Sequence, residues 1–340
     1  MKRAKPGVTK RLCKRLLGWA LVLGWGLPWS LRFWKLLRLP WLLPVVEIGQ
    51  DTFAPGLGTE QIPAIVHHLS RTEDIKDTWS QSYLSTKGVH LRYGEDVYEH
   101  KLWTDELIEK FFEENFPDFL DTFKSYPQDI ERVDAARYFI VLHYGGIYID
   151  LDIGARRSLD NLRRYDGQHS ARGARTTLIL PITQPLGISN DFFMASPNHP
   201  FLRFVTDRLA ARGRGGNFFS FFSLPFFSVM WTTGPLFFSV ALYDYLASVP
   251  ALDAAEVAFL SSHDYTRKLL YHVPGSSWLS WDGKIVMWVW FTGLPWIATI
   301  FWYSLGACFI LCLLRLALFG KRNFKEQSTN TLDVERGLMR

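Results

Sequence analysis

Between Asp134 and Gly154 the chain reads DAARYFIVLHYGGIYIDLDIG, a segment that leaves few folds open. From Pro127 to Tyr144, apolar Ile130, Val133, Ile140 and Leu142 recur at helical spacing, and Gly145-Gly146 is a C-terminal stop. Ile147, Tyr148 and Ile149 then read as a buried strand that runs out into Asp150 and Asp152. Side chains alternate along a strand, so both carboxylates are expected on one face, with Leu151 turned back into the core. A helix that stops on glycine and feeds a strand ending in acids has the geometry of a ligand site at the carboxyl edge of an α/β sheet. Two aligned carboxylates seat a hard divalent cation that prefers oxygen and keeps positions open to a diphosphate, which suggests transfer from a nucleotide-sugar. A lone D-x-D is most often a solvated turn, so the context carries the argument.

The flanking sequence extends the α/β pattern. Ile62–Leu69 reads as a first buried strand introduced by Pro63, residues 72–84 as a helix containing Trp79, and Val89–Tyr93 as a second strand. Residues 105–114 form an acidic helix, expected to be a solvated face. Six arginines come after the D-x-D strand (Arg156, Arg157, Arg163, Arg164, Arg172, Arg175) in a stretch of loop composition, suited either to gripping a phosphate or to simple solvation. Residues 177–182 and 191–196 read as strands and residues 200–212 as a helix. Alternating strands and helices predict a doubly wound, mostly parallel sheet. After a flexible RGRGG joint at 212–216 comes an aromatic stretch, Phe218 to Trp231, which suits either a core or a ridge dipping into a bilayer.

The net charge of +5 conceals a sharp division. Residues 1–15 hold seven Lys or Arg and no acid, and Lys321, Arg322 and Lys325 lie just past the last apolar run. Between Glu47 and Lys284 there are 22 basic and 30 acidic residues, a net −8, so the body is not that of a nucleic-acid binder. Leu16 to Leu31 is apolar and charge-free, and residues 285–319 carry Arg315 as their one charge. The second run is ample for a membrane span of about 20 residues. The first is shorter and holds Gly24, Gly26 and Pro28, so it either spans or lies in the interface as an amphipathic anchor. The chain is thus expected to fall into four segments: 1–46, a basic tail and N-terminal membrane anchor; 47–284, the catalytic domain; 285–319, a C-terminal transmembrane region; and 320–340, a polar cytoplasmic tail. Basic flanks face the cytoplasm, which places the body in the lumen of a secretory compartment such as the Golgi. A signal peptide is the competing reading of the N-terminus, but no small-residue cleavage site comes after Leu31. Cys13, Cys308 and Cys312 all lie in or beside the apolar ends, leaving the body without a thiol for disulfides or a metal site.

Several blocks in order, IPAIVHHL with Trp79 downstream, DAARYFIVLHYGGIYIDLD, NDFFMASPNHPFL, LPFFSVMWTTGPLFFS and HVPGSSW, resemble glycosyltransferase family 32 across residues 62–282. Within it the chain is most similar to fungal mannosyltransferases acting on inositol phosphorylceramide. The resemblance implies a GT-A fold, a nucleotide-sugar donor such as GDP-mannose, manganese or magnesium, and retention of anomeric configuration. It implies that Asp150 and Asp152 hold the metal-diphosphate and ribose, that Asp134 and Arg137 bind the donor sugar, and that Asp191, beside Asn190, orients acceptor or sugar. His272 is the implied third metal ligand, and His67, Trp79, Ser276 and Trp278 are assigned to the nucleotide side. A helix-surface salt bridge is the alternative for Asp134 and Arg137, and a packed core histidine for His67. Where family members place histidine after the last tryptophan, this chain has Leu279, which leaves the third ligand between His272, Asp282 and an altered geometry.

The implied partners are a lipid acceptor, inositol phosphorylceramide, and a regulatory membrane subunit. Glycan elongation on protein-linked sugars and a non-catalytic membrane adaptor are the competing roles. A haloacid-dehalogenase-type phosphatase also uses D-x-D, but its D-x-[TV] continuation is not met by Gly154 after Ile153.

Overall fold

A computed structural model describes residues 45–46, 62–89, 91–92, 95–96, 98–163, 177–183, 187–212, 224–249, 257–273 and 280–291. The predicted N-terminal anchor, the apolar run beyond residue 291, Phe218 to Phe222, and Arg164, Arg172 and Arg175 lie outside these residues. The chain divides into two compact units, residues 1–278 and 279–340.

The first unit is built on a seven-stranded sheet in the order β1 (Val45–Val46), β10 (Val257–Leu260), β8 (Leu178–Pro181), β9 (Phe192–Ala195), β6 (Gly146–Ile149), β2 (Ile65–Leu69), β5 (Glu99–Trp103). Six strands run parallel and β9 alone is reversed, pairing antiparallel with both β8 and β6. The mostly parallel sheet expected from the alternation is therefore present, with one reversal that the sequence pattern does not announce. Helices α1 (Asp77–Gly88), α2 (Asp105–Asn115), α3 (Pro117–Ser125), α4 (Asp129–Tyr144), α5 (Asp160–Arg163), α6 (Pro200–Arg212), α7 (Pro225–Thr232) and α8 (Pro235–Ser248) surround it. Beside the sheet, β7 (Ile153–Ala155) pairs antiparallel with β11 (Leu270–His272), and Leu91–Arg92 (β3) pairs with Glu95–Asp96 (β4).

The strands alternate strictly between two cores. Tyr148, Leu178, Leu180, Phe193, Val257 and Phe259 join one apolar cluster with α2, α3, α4, α6 and α8. Their neighbours Ile147, Ile149, Ile179, Phe192, Met194, Ala258 and Leu260 join another with Ile153, Ala155 and Leu270. The period of two thus assigns every central residue to one face or the other.

The double glycine does two separate jobs. Gly145 ends α4 with φ +65°, its N–H bonded to Val141 O at 2.9 Å, a backbone conformation that favours glycine. Gly146 has φ +93°, and a Cβ there would meet Ile65 O at 2.5 Å, so glycine also lets β6 lie against β2.

Three expectations shift. The second strand of the sheet is Glu99–Trp103 rather than Val89–Tyr93, within which Leu91–Arg92 is extended but pairs outside the main sheet. It is an edge strand that carries Glu99 and Lys101, paired at 3.2 Å, and such charges blunt a sheet edge while hiding its apolar signal. The acidic α2, expected to be a solvated face, is amphipathic. Thr104 caps its N-terminus, accepting from Leu107 N at 3.3 Å, and Ile108, Phe111 and Phe112 are buried. The helix containing Trp79 begins at Asp77 rather than at 72 and continues to Gly88.

Residues 225–248 are long and apolar enough to cross a membrane, the one such helical stretch among the described residues. They break at Thr233-Gly234 and are mostly buried in the protein, as core helices are. The second unit contributes one described helix, α9 (Trp281–Phe291), with Trp281, Ile285 and Trp288 exposed.

Candidate active site

The carboxyl end of β6 is the centre of a cluster of charge. The strand stops at Ile149, and Leu151-Asp152 form a turn closed by Ile153 N to Asp150 O at 3.0 Å. The alternation expected of the D-x-D therefore does not come from a strand pleat. Leu151 is nonetheless buried, as expected, between two partly exposed aspartates.

Reversal of β9 brings its leading residues to the same edge. Asp150 N bonds Asp191 O at 2.9 Å, and Asn190 and Asp191 stand beside the D-x-D turn. The β7–β11 pair supplies the next wall. His272 lies in register with Ile153, Val273 N bonds Asp152 O at 2.7 Å, and His272 Nε2 is 3.9 Å from Asp191 Oδ2. His272, Asp150, Asp152 and Asp191, separated by up to 122 positions in the chain, are thus drawn to one end of the sheet.

Below them lies a buried polar layer. The Arg137 guanidinium contacts Asp134 Oδ1 at 3.2 Å and Asp150 Oδ1 at 3.3 Å, and donates to Asn190 O at 2.7 Å. Its carbon sits 4.6 Å from the centre of the Tyr148 ring, and the Tyr148 hydroxyl donates to Asp150. Asn190 Nδ2 donates to Asp134 Oδ1 and to the Tyr138 hydroxyl, both at 2.9 Å, while Thr233 Oγ1 donates to Asp134 Oδ2 at 3.2 Å. Asp134 and Arg137, expected either to bind sugar or to pair on a helix surface, are buried, and Arg137 is shared between two acids. Removing one partner of such a buried pair typically costs about 3–5 kcal/mol, because the charge left behind is unpaired.

The electrostatics reflect one guanidinium shared by Asp134 and Asp150, with Asp152 and Asp191 close by. Burial raises the Asp134 pKa to about 6 against the pull of Arg137. Burial, then repulsion from Asp150 and Asp191, raises Asp152 to about 7. Burial also raises Asp150, with Arg137 opposing. A set of oxygen donors that repel one another suits a hard cation such as manganese or magnesium. Among the described residues no three His, Cys, Asp or Glu side chains converge into a ready-made cage. The oxygen chemistry and charge of these side chains fit a hard divalent ion. Asp150 and Asp152, with Asp191 and His272 adjacent, are the residues that would hold it.

Other predicted site residues fall elsewhere. His67 is the packed core histidine of the competing reading: Nε2 bonds Gly145 O at 2.9 Å and Nδ1 accepts from Trp103 Nε1 at 3.1 Å. Burial lowers its pKa to about 4, so it is neutral with both nitrogens committed. Trp79 lies in the first turn of α1, with the Lys76 ammonium 5.0 Å from its ring centre. Ser276, Trp278 and Leu279 are outside the described residues. Asp282 belongs to the second unit, where it accepts from the Ser280 hydroxyl. Arg163 is buried and bonds Ile62 O at 3.0 Å and Asp160 at 2.8 Å, which commits it to structure rather than to a phosphate. Sequence reasoning missed Ser82, whose buried hydroxyl donates to Leu151 O inside the D-x-D turn. It also missed Tyr138, Tyr148 and Thr233, and no local pattern marks any of the four.

Residues 77–167, which span α1 and the D-x-D turn, match the family described as glycosyltransferase sugar-binding region containing DXD motif. Inositol phosphoceramide mannosyltransferase 1 of Schizosaccharomyces pombe is 36% identical over 290 residues, covering 82% of this chain and 85% of that protein. The chain belongs to glycosyltransferase family 32. A mannosyl phosphorylinositol ceramide synthase of Saccharomyces cerevisiae is 36% identical to this glycosyltransferase over 229 residues, 66% of this chain and 54% of that one. Among solved structures, PaToxG Glycosyltransferase covers 61% of this chain and 80% of its own at 15% identity and a TM-score of 0.36, a likeness that adds no argument.

Proposed function

We propose that this glycosyltransferase moves mannose from GDP-mannose to inositol phosphorylceramide on a GT-A-type fold, with retention of anomeric configuration. The names of its relatives support the sugar and the acceptor. The observation that carries the chemistry is the acid cluster at the sheet edge, where Asp150 N bonds Asp191 O at 2.9 Å and Asp152 O accepts from Val273 N at 2.7 Å beside His272.

Asp150 and Asp152 would hold a divalent ion, which would supply positive charge to the departing diphosphate. The protein's own groups position the rest. Arg137 pins the Asp150 carboxylate, and the Tyr148 hydroxyl holds the same group from the strand. Asp191, beside the buried Asn190, is the group that orients sugar or acceptor hydroxyls in this reading. The acceptor oxygen bonds to the anomeric carbon as the bond from that carbon to the phosphate oxygen breaks. The hydroxyl proton passes to the departing phosphate, and GDP leaves. Catalysis of this kind rests on position and charge rather than on a protein nucleophile.

The basic ends flanking residues 16–31 and 285–319 support a secretory-pathway membrane enzyme with a lumenal body and cytoplasmic tails. A regulatory membrane subunit belongs to the same reading.

Transfer is tested on the full chain in detergent, with GDP-mannose and inositol phosphorylceramide and the mannosylated lipid measured by mass spectrometry. Asp152→Asn is expected to abolish chelator-sensitive turnover while unfolding at the wild-type temperature. Undiminished turnover in that variant, or full activity in chelator, would overturn the metal-diphosphate reading. Preference for a UDP-sugar would overturn the donor.

A further inference from the structure

The mechanism above uses no residue of the π-helical segment Asp264–Leu269, yet this segment delivers a side chain to the acid cluster. Leu270 N bonds Tyr265 O, five residues back, whereas Tyr265 N bonds Ser261 O, four back. One residue more in a turn rotates the chain beyond it by about 100°, and such turns recur at functional sites. Tyr265 is almost fully buried. Its ring lies 5.8 Å from that of Phe192 and meets His272 edge-on at 5.7 Å. It therefore touches the residue after Asp191 and the imidazole beside Asp191.

The hydroxyl faces the acids. Burial and then the Asp191 charge, with Asp150 and Asp152 behind it, push the Tyr265 pKa well above its ordinary value. Tyr265 Oη and Asp191 Oδ1 are both buried, and the Tyr265 hydroxyl lies within hydrogen-bonding reach of the Asp191 carboxylate without the alignment of a well-formed bond. The other oxygen of the same carboxylate, Oδ2, is the one directed to His272 Nε2 at 3.9 Å. The two oxygens thus have different surroundings, one facing a buried donor and one facing the half-exposed histidine. A buried hydroxyl and a buried carboxylate within reach of each other, with no better partner for either, satisfy each other's hydrogen bonding.

We propose that Tyr265 is a positioning residue for Asp191. Its hydroxyl donates to Asp191 Oδ1, which leaves Oδ2 and His272 for the ion and its diphosphate. A donor behind a ligating carboxylate sets the orientation of that ligand and tunes metal affinity. The proposal rests on the metal-diphosphate reading and names a residue that reading does not contain.

The test is Tyr265→Phe in the full chain, which removes one oxygen and keeps the ring against Phe192 and His272. Binding of Mn²⁺ in the presence of GDP is measured by titration calorimetry, and unfolding temperature is measured in chelator. The variant is expected to bind Mn²⁺ about 10-fold more weakly, within the range for such supporting groups. Its unfolding temperature in chelator is expected to equal or exceed that of the wild type, since a buried hydroxyl without a well-aligned bond is gone. At saturating Mn²⁺, kcat is expected to recover to within about twofold, a split that a packing defect would not give. Combining the change with Asp191→Asn is expected to weaken Mn²⁺ binding no further than Asp191→Asn alone. Equal Mn²⁺ affinity in wild type and Tyr265→Phe would overturn this proposal and leave the metal reading standing. A wild-type chain that binds no Mn²⁺ with GDP would remove both.

Discussion

The two faces of the sheet are held by different chemistry. On one, Phe112 packs against Phe123 at 4.4 Å and Phe139 at 5.1 Å, and Phe119 stacks on Phe139 at 4.5 Å. Helices α2, α3 and α4 are joined there by rings. On the other face, α1 buries Ser82 and Thr86 while leaving Leu84 62% exposed. It meets the D-x-D region through hydroxyls: Ser82 to Leu151 O, and Tyr271 to Ser85 at 3.0 Å. Apolar area is non-directional and stabilises wherever it is buried, whereas a hydrogen bond stabilises little but holds one atom in one place. The aromatic face joins its helices through buried apolar area, whereas on the other face α1, beside a second apolar cluster, holds the aspartate turn in register through hydroxyls.

That contrast is open to direct attack. Phe112→Ala is expected to show the largest effect, about 3–5 kcal/mol of lost stability in denaturant unfolding, as for other fully buried phenylalanines. Its Mn²⁺ affinity is expected to stay at the wild-type value. A loss below about 1 kcal/mol would mean the ring cluster is not the stabilising layer.

The next effect depends on pH and has opposite signs for different groups. His67 and His199 are buried and neutral, with burial lowering each pKa to about 4. Their unfolded forms gain protons below about 6.5 and their folded forms only near 4, so acidification removes stability, about 2 kcal/mol per histidine by pH 5. Asp134 behaves in reverse. Its folded pKa of about 6 exceeds the ordinary carboxylate value, so the folded form gains protons first and acidification adds stability. In chelator, His199→Gln is expected to lose less stability than wild type between pH 7 and pH 5, and Asp134→Asn to lose more. Parallel pH profiles for all three proteins would contradict these assignments.

Ser82→Ala is expected to have the smallest effect on stability, about 1–2 kcal/mol for a buried carbonyl left without its donor. Its effect on turnover is expected to be larger than that of Phe112→Ala, since it frees the middle of the D-x-D turn. A variant with unchanged turnover would show that α1 serves the turn by packing alone.

Much of the fold is legible in the chain. The helix ending at Tyr144, the strand at Ile147–Ile149 and the helix at residues 200–212 are set by periodicity and by glycine and proline placement. The edge strand at Glu99 is hidden because charged side chains at a sheet edge erase the apolar alternation. His67, open in the sequence between the nucleotide side and a packed core histidine, has both nitrogens committed to Trp103 and Gly145, a distinction that only distant partners make. Arg137 stands out in the sequence as a group facing sugar, whereas in the fold it is the shared partner of two buried acids.

Residue order determined which segments would be helix, strand and stop, and that an acidic pair would end a buried strand, because periods of two and 3.6 are local and are written directly in the pattern of apolar side chains. Only the tertiary structure decided that β9 runs backward, that Asp191 and His272 stand beside the D-x-D, and that Ser82 and Tyr265 attend them. Those outcomes depend on hydrogen bonds and charges brought together across up to 122 positions of chain, and a single distant partner leaves no periodic trace in the residues that surround it.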